Sequence, residues 1–271
     1  MDPRRDRGGP HLSGRTPRSG SSAGRVSEIE ARYFDGLVRE KGEFDPFAPR
    51  GWRTIADRFA QMVPETPRRL LDVGCGTGQS RQLYADRTAG YVGIDLSFEA
   101  LSLARRKIPS ASWSEADACR LPFPDASFDA VAFSSVLHHL PGPALGAALG
   151  EARRVLRPGG GVFAFDPNLL HPAMALFRWP RSPLYIAEGV SPNESPLLPS
   201  TLRRAFEAAG FVAIRQRGQS GIPYREVAPR LINACLSLYN AADWAFERVG
   251  LGRWFGTFVL TAARKPAASG A

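Results

Sequence analysis

The stretch Leu70–Gly78 reads LLDVGCGTG, and this order of residues indicates the fold. An apolar run leads into Asp72, and glycines then occupy every second position at Gly74, Gly76 and Gly78. Such a run predicts a buried strand that breaks into a tight turn. Glycine has no Cβ, so its backbone can adopt unusual angles and lie directly against a ligand. A strand, a glycine turn and a helix in this order are typical of α/β domains that hold nucleotide-like cofactors.

Downstream of this turn, segments typical of strands alternate with segments typical of helices. Ser97 is placed to cap one of these helices, and Pro158-Gly159-Gly160 is placed to stop another. The predicted strands are 69–73, 91–95, 111–116, 128–134, 161–166, 211–216 and 255–263. Alternation at this spacing predicts an α/β fold with a doubly wound, mostly parallel seven-stranded sheet and helices on both faces.

The chain divides into five parts by composition. Residues 1–27 are rich in Gly, Ser, Pro and Arg, which predicts a disordered basic tail. Residues 167–199 carry seven prolines and interrupt the alternation for longer than a plain connection needs, which predicts an inserted cap. The other parts are an N-terminal helical lid at 28–66, a cofactor-binding core at 67–166 and a C-terminal part of the same domain at 200–265.

The C-terminal part contains an unusually apolar segment, 231–249. Its polar residues recur at steps of four, three, three and four, at Asn233, Ser237, Asn240, Asp243 and Glu247. As a helix, the segment would carry a narrow polar stripe and a very wide apolar face. Two interpretations are open: the helix is buried between sheet and cap, or its apolar face lines a substrate pocket or touches a membrane surface.

The formal net charge of +9 is unevenly distributed, because six Arg and two Asp give residues 1–27 a charge of +4. Such a tail is either a solvated terminus or a contact for nucleic acid or anionic lipid. No apolar segment follows its arginines, so no secretory signal is predicted. The three cysteines lack metal-ligand spacing, and an odd count fits a reducing compartment, so we expect no metal and a cytoplasmic protein. No stretch reaches the roughly 18 apolar residues of a transmembrane segment.

The glycine turn departs from the dinucleotide fingerprint G-x-G-x-x-G, whose third glycine would fall at Gln79. The spacing instead resembles that of the class I S-adenosylmethionine-dependent methyltransferases, and in particular of their type 11 subgroup. The motifs that carry the resemblance are LDVGCGTG (71–78), VGID (92–95), DA (117–118), LPF (121–123), FDAV (128–131), VLHHL (136–140) and LRPGG (156–160). They occur in the family's order and cover about 70–166, but not the flanks. The resemblance adds the expectation that the last strand of the sheet is antiparallel.

The resemblance implies a cofactor site for S-adenosylmethionine along this core. The backbone of the turn would approach the methionine end of the cofactor at Gly74, Cys75, Gly76 and Gly78. Cys75 is interpreted as a small filler of the turn and not as a nucleophile. Asp72 would lie near the cofactor's amino group.

The ribose and adenine would lie farther along the same edge. Asp95 ends the second strand 21 residues after Gly74, where its carboxylate can accept from both ribose hydroxyls, and Leu96 follows it. Asp117 would accept from the adenine amino group, with the Ala118 amide facing the ring. Helix capping by Asp95 and a plain loop carboxylate at Asp117 are the alternatives.

Three side chains follow the fourth strand at the edge where ligands bind. Ser134 is expected beside the sulfonium, and His138 and His139 are the candidate catalytic base or substrate ligands. Asp166 is a weaker candidate after the fifth strand. Methyl transfer is an in-line displacement, so alignment and exclusion of water contribute much of the catalysis.

We therefore expect a methyltransferase that acts on oxygen or carbon of a small or lipophilic acceptor. The fourth strand ends in Phe133-Ser134-Ser135, without the Asn-Pro-Pro-Tyr-type motif of amino-directed nucleic-acid methyltransferases, so nucleic acid is disfavoured. Peripheral membrane contact stays open. The alternatives are a catalytically silent cofactor-binding module that acts through partners, and a nicotinamide-dependent reductase.

Overall fold

The computed structural model describes residues 22–43, 47–63, 65–84, 88–225, 234 and 236–268. Within these ranges the helices are α1 Ser22–Lys41, α2 Pro49–Met62, α3 Arg81–Tyr84, α4 Phe98–Lys107, α5 Pro143–Val155, α6 Pro199–Ala208, α7 Leu236–Arg248 and α8 Gly252–Phe255. The strands are β1 Arg69–Val73, β2 Gly90–Asp95, β3 Ser112–Glu115, β4 Phe128–Ser134, β5 Leu156–Pro167, β6 Val212–Gln219 and β7 Phe258–Arg264. A 3₁₀ turn at Leu137–His139 follows β4, and a π-helical turn at Met174–Arg178 follows β5.

The seven strands form one sheet in the order β3-β2-β1-β4-β5-β7-β6. β1 pairs in parallel with β2 and with β4, β2 with β3, and β4 with β5. β7 runs antiparallel to both β5 and β6. The predicted mostly parallel sheet with an antiparallel last strand is confirmed.

The sheet separates two apolar cores, which explains why its central strands are apolar almost throughout. Alternate residues of a strand point to opposite faces. Leu71 and Val131 enter the core that α5 and α6 cover, whereas Leu70 and Phe163 enter the core that α2 covers with Phe59. A parallel strand buried on both faces needs a continuous apolar run.

The strand order creates a crevice between β1 and β4. The chain runs outward from β1 to β3 and then restarts at β4, so the connections after β1 and β4 leave toward opposite faces. Sheets of this kind bind ligands at the carboxyl ends of those two strands. Here the glycine turn follows β1, and the turn at Ser134 and Ser135 follows β4.

The two helices within the predicted lid at 28–66 pack in different places. In α1, the Asp35 carboxylate accepts a hydrogen bond from Ser97 Oγ at 2.7 Å, so α1 lies at the N-terminus of α4. In α2, the ring of Phe59 lies 4.8 Å from the ring of Tyr84 and 5.2 Å from that of Phe163, so α2 belongs to the core. Only α1 therefore lies over the carboxyl edge of the sheet.

Several element boundaries differ from the sequence prediction. α1 begins at Ser22, so residues 22–27, assigned to a disordered tail, are helical, and residues 1–21 lie outside the described residues. Leu156 pairs with Phe128, so β5 begins there and includes Pro158-Gly159-Gly160. β7 begins at Phe258 and not at residue 255, because α8 precedes it.

The polar stripe of α7 faces the protein and not the solvent. The Asp243 carboxylate accepts from Gly221 N at 2.6 Å and from Thr257 Oγ1 at 2.7 Å. Leu238 and Val249 on the other side are 73% and 70% exposed. The interpretation of a helix buried between sheet and cap is therefore wrong, and residues 231–233 of the predicted helix lie outside the described residues. None of the helices in the described ranges is both long and apolar enough to cross a membrane.

The glycine at position 74 should be required for stability, in contrast to a helical glycine of α5. A Cβ at Gly74 would lie 1.9 Å from Val136 Cγ2, and its φ is +73°, whereas a Cβ at Gly146 meets nothing within 4 Å. We expect Gly74→Ala to lower the free energy of unfolding by about 2–5 kcal/mol, from strain and overpacking. Gly146→Ala should raise it by about 0.5–1 kcal/mol. Urea denaturation of the two variants measures both, and equal stability of Gly74→Ala and wild type would contradict the packing.

Candidate active site

The turn after β1 has three glycines whose φ angles are positive, and at one of them the backbone faces open space. Gly74, Gly76 and Gly78 have φ angles of +73°, +54° and +88°, which L side chains rarely adopt. At Gly78 a Cβ would lie 3.1 Å from the Trp113 ring. At Gly76 the nearest atom would be 4.0 Å away, so its backbone faces open space. A cofactor that lies against the chain at Gly76 fits this turn.

Asp95 connects the end of β2 to the glycine turn. Its Oδ2 accepts from Gly76 N at 2.8 Å, and its Oδ1 accepts from Ser97 N at 2.9 Å. Burial raises the pKa of this carboxyl, while bonds from the backbone of Ser97, Gly76 and Leu96 oppose the rise. The bond to Ser97 N matches the alternative role at the start of α4. Each carboxylate oxygen can accept a second bond, so the contact of Asp95 and Leu96 with ribose stays a prediction.

Asp72 is fully buried in β1, and three hydroxyls donate to its carboxylate. Ser80 Oγ and Tyr91 OH donate to Oδ2 at 2.5 Å and 2.7 Å, and Ser134 Oγ donates to Oδ1 at 2.5 Å. Burial raises the pKa of Asp72 to about 6, although the three hydrogen bonds act in the opposite direction. A contact between Asp72 and the cofactor's amino group stays a prediction. The observed role is to tie the glycine turn, β2 and β4 together.

Ser134 and Cys75 lie on either side of this carboxylate. Ser134 is buried and directs its hydroxyl toward Asp72, with Tyr84 OH at 3.4 Å, so its position beside the sulfonium stays a prediction. Cys75 is buried, and burial raises the pKa of its thiol well above the usual value. A neutral buried thiol fits the predicted filler role.

Asp117 and Ala118 lie where β3 ends, and α1 reaches them. Ser27 Oγ donates to Asp117 Oδ2 at 2.7 Å, and Cys119 N donates to Oδ1 at 2.8 Å. Ala118 is buried beside them. Contact with adenine stays a prediction, and α1 covers this end of the site.

His138 forms a buried pair with Asp166 at the end of β5. His138 Nδ1 lies 2.9 Å from Asp166 Oδ1, and His138 N donates to the same oxygen at 3.1 Å. Asp166 is fully buried, and its Oδ2 has no hydrogen-bond partner among the described residues. Buried carboxylate oxygens are seldom left without a partner, so this one can accept from a bound molecule.

His139 lies next to His138 and faces α1 and the cap. Its Nδ1 is 2.9 Å from Ser191 Oγ and 3.2 Å from Glu30 Oε2. Burial lowers the pKa of His139, as does the neighbouring His138, while Glu30 and Glu194 oppose the decrease. Burial acts to raise the pKa of Glu30, but the neighbouring His139, Ser191 and Asn193 outweigh it and lower that pKa. The lowered pKa of His139 favours its neutral form.

The two histidines and Glu194 also form a possible set of metal ligands. One donor atom from each lies within 4.8 Å of the others. Two imidazoles and a carboxylate are a set that zinc binds in catalytic sites. The sequence prediction of no metal site rested on cysteine spacing, which carries no information about this cluster.

A separate cavity of about 560 Å³ lies at the opposite, amino-terminal edge of the strands. It is lined by Met62, Pro67, Arg68, Asp129, Arg157 and Arg264, among others. None of these belongs to the predicted site, and the carboxyl edge of the sheet is the place where ligands bind in this architecture.

Sequence reasoning missed the residues of α1 and the cap that complete the site. They are Ser27, Glu30, Asp35, Ser191 and Glu194. Asp35 lies 62 positions from its partner Ser97, and Ser27 lies 90 positions from its partner Asp117, so no local spacing in the sequence links these pairs. Asp166, a weaker candidate from sequence, is the direct partner of His138.

Comparison with known proteins gives several relatives that are methyltransferases by name. Identity is 35% over 172 residues with an uncharacterized methyltransferase of Synechocystis sp., covering 61% of this chain and 79% of that protein. It is 33% over 192 residues with a demethylmenaquinone methyltransferase of Beutenbergia cavernae, covering 68% and 78%. It is 35% over 210 residues with an O-methyltransferase of Penicillium expansum, covering 70% and 72%.

Solved structures share the fold. The [4+2]-cyclase SpnF superposes with a TM-score of 0.62 at 22% identity, covering 89% of this chain and 97% of that one. An S-adenosylmethionine-dependent methyltransferase from Mesorhizobium loti gives a TM-score of 0.54 at 23% identity, covering 77% and 96%. At these identities the likeness concerns the architecture alone.

The sequence family and the geometry agree on one region. A family model described as a methyltransferase domain matches residues 71–164. That range contains the glycine turn, Asp95, Asp117 and both histidines. Together with relatives that match over more than two thirds of their length, it shows that the chain belongs to the class I S-adenosylmethionine-dependent methyltransferases.

Proposed function

We propose that the protein transfers a methyl group to an oxygen or acidic carbon of a small lipophilic acceptor, with His138 and His139 at the reacting end of the site. The observation that carries the proposal is a pair of adjacent carboxylate–imidazole contacts, Asp166 with His138 and Glu30 with His139. The two imidazole rings lie 4.0 Å apart between their centroids. Two such pairs side by side are an arrangement for removing a proton.

The residues that would hold the cofactor are those of the carboxyl edge. The open backbone at Gly76 and the acceptor oxygens of Asp95 and Asp117 suit an amino acid, a ribose and an adenine in that order. When bound, S-adenosylmethionine supplies a methyl group on a sulfonium, which is an electrophile with a good leaving group. The chain's own task is alignment, exclusion of water and removal of the acceptor's proton.

The tautomers of both histidines favour proton removal through Nε2. An ionised carboxylate only accepts hydrogen bonds, so Asp166 places the proton of His138 on Nδ1. For His139 we place the proton on Nδ1 as well, directed to Ser191 Oγ at 2.9 Å, with Glu30 Oε2 at 3.2 Å from the same nitrogen. Each Nε2 then carries a lone pair that can take a proton from a hydroxyl of the acceptor. An acceptor with an acidic hydroxyl, such as a phenol or hydroquinone, needs the least help from such a base.

The named relatives support an acceptor of this class. They include methyltransferases named for demethylmenaquinone and for O-methylation. Around His139 the surroundings are partly aromatic, with the Phe34 ring 5.4 Å from the imidazole and Tyr33 next to it. A reducing, cytoplasmic location stays our prediction from the cysteine count.

Removal of the Asp95 carboxylate should weaken cofactor binding without unfolding the chain. Hydrogen bonds to a charged acceptor contribute about 1.5–3 kcal/mol each, so Asp95→Ala should weaken S-adenosylmethionine and S-adenosylhomocysteine binding by roughly 100-fold. Glu207→Ala removes an exposed carboxylate of α6 and should bind like wild type. Isothermal titration calorimetry measures both, and absence of heat with wild type would refute the cofactor assignment.

Glu30 should set the pH dependence of methyl transfer through His139. The neutral imidazole is the active form, so the rate rises as pH passes upward through the pKa of His139. Glu30 opposes the lowering of that pKa, so Glu30→Gln should lower it further and move the acidic limb of the rate profile to lower pH. The rate is followed with labelled cofactor and an acceptor selected from a panel of phenols and hydroquinones.

Two controls separate this role from others. Glu207→Gln should leave the acidic limb in place, and an unshifted limb in Glu30→Gln would show that His139 is not the base. Dialysis against a chelator should leave the rate unchanged. Loss of activity that zinc restores would instead assign His138, His139 and Glu194 to a metal site.

Asp166 should affect turnover far more than cofactor binding. Asp166→Asn removes the acceptor that fixes the His138 tautomer, so we expect kcat to fall roughly 10²–10⁴-fold with KM little changed. Calorimetry should give wild-type affinity for S-adenosylhomocysteine. Parallel loss of affinity and kcat would indicate a structural role for Asp166, and unchanged kcat would exclude His138 as the base.

A further inference from the structure

Helix α7 is reversed with respect to an ordinary surface helix. Tyr239, Asn240, Asp243, Phe246 and Glu247 form its inner side and are partly or fully buried. Asn240 exchanges hydrogen bonds with the backbone of Tyr224 at 3.0 and 3.1 Å, and Glu247 pairs with Arg58 at 3.3 Å and Arg217 at 3.1 Å. The polar groups therefore hold the helix in place, and Leu238 and Trp244 on its other side face solvent.

The exposed apolar side chains concentrate on and after this helix. Among the described residues, fourteen large apolar side chains are exposed, and six of them lie between 238 and 255. We call these six the outer face: Leu238, Trp244, Val249, Leu251, Trp254 and Phe255. Four more of the fourteen lie in the cap, between 170 and 184. A concentration of exposed apolar side chains in one segment is typical of an interaction site.

The charges that reach solvent within the outer face are positive. Arg248 and Arg253 are exposed within it, and the cap carries exposed Arg181 and, farther along, exposed Glu188. In the described residues 170–184 and 236–255 the acidic residues are Asp243 and Glu247, and both are turned inward. The Arg248 guanidinium lies 4.9 Å from the Trp244 ring centre, and that of Arg253 lies 5.1 Å from the Trp254 ring centre.

We propose that the outer face docks on the surface of a membrane with anionic lipids. Tryptophan rings are favoured at the depth of the headgroups, where one part of the ring is apolar and the N–H is hydrated. Arginine beside each ring keeps its charge at the level of the phosphates while its stem lies along apolar surface. A helix of this composition lies in the plane of the interface and does not span it.

Charge favours the bilayer over a second copy of the chain. A twofold contact through the outer face would bring Arg248 and Arg253 of two copies together, and the described residues 236–255 offer no exposed carboxylate to compensate. Like charges brought together at an interface are unfavourable. An anionic lipid surface offers phosphates that pair with the arginines and an apolar layer that can bury the exposed apolar side chains.

The outer face is attached directly to the candidate active site. Asn168, two residues after Asp166, donates from Nδ2 to Gly256 O at 2.9 Å and to Trp254 O at 3.2 Å. In the cap, the His171 ring lies 6.0 Å from the ring of Tyr239 and 6.3 Å from that of Phe246 on α7. A protein docked through this face holds the carboxyl edge of its sheet near the lipid, where a lipophilic acceptor is concentrated.

Flotation of the full chain with vesicles tests the proposal without any methyl transfer, so its failure is distinguishable from failure of the proposed function. Vesicles of phosphatidylcholine with one quarter phosphatidylglycerol are compared with pure phosphatidylcholine. Wild type should bind the anionic vesicles more tightly. Trp244→Gln combined with Trp254→Gln should weaken partitioning roughly tenfold or more. Arg248→Gln combined with Arg253→Gln should weaken it roughly 25-fold on anionic vesicles alone, at about fivefold for each charge.

A matched control uses exposed apolar residues elsewhere, Phe98→Gln combined with Val212→Gln, which should bind vesicles like wild type. All variants keep the basic residues 1–27, so any contribution of that segment is constant. Circular dichroism confirms folding of each variant. Equal binding of the outer-face and control variants would overturn the proposal. So would a wild type that ignores vesicles and forms a dimer that the tryptophan substitutions dissociate.

Discussion

The buried carboxylate of Asp72 is the constraint on which the geometry of the site depends. It sits in β1, an inner strand of the sheet, and holds Ser80 at the glycine turn, Tyr91 on β2 and Ser134 on β4. Its pKa in the folded chain is about 6, above the usual 3.8. The fold thus favours the protonated form, and that stabilisation is present below about pH 3.8 and lost as pH rises through about 6. At neutral pH the three hydroxyls stabilise a carboxylate that burial disfavours, so each of them is held firmly in position.

From this centre, α1 connects the parts of the site that bind different groups. Ser27 contacts Asp117 at the predicted adenine end, and Asp35 accepts from Ser97 next to the predicted ribose end. Glu30, on the same helix, contacts His139 at the reacting end. One helix therefore touches the predicted adenine and ribose parts of the cofactor groove and the candidate base. We expect cofactor binding and placement of the base to be coupled through α1, because a shift of this helix would change all three contacts together.

The sequence predicts those elements that depend on a repeated apolar pattern or on contacts between residues close together in the chain. β1 and β4 could be predicted to the residue, since each is mostly apolar and is bounded by turn residues or a charged residue. The N-cap at Ser97 could also be predicted, since its hydroxyl lies three positions before Ala100, from whose N–H it accepts. The start of α1 could not, because Ser22–Ser27 have the composition of a solvated tail, and Ser27 is ordered by Asp117, 90 positions away. For α7 the sequence pattern predicted one polar and one apolar face, but it did not indicate which of the two faces packs against the protein. Gly221 N and Thr257 Oγ1, which decide that, belong to other segments.

The inward polar stripe of α7 and the buried pair at His138 have the same physical origin. In both, a carboxylate leaves water and is satisfied by groups that a neighbouring element supplies, Thr257 for Asp243 and His138 for Asp166. β5 and β7 are adjacent strands, with Asp166 opposite Val259, and Thr257, the partner of Asp243, lies two residues before Val259. Asn168 joins this pair to the backbone that carries Trp254. The short segment 166–168 thus anchors both sides, the candidate base through Asp166 and the outer face through Asn168.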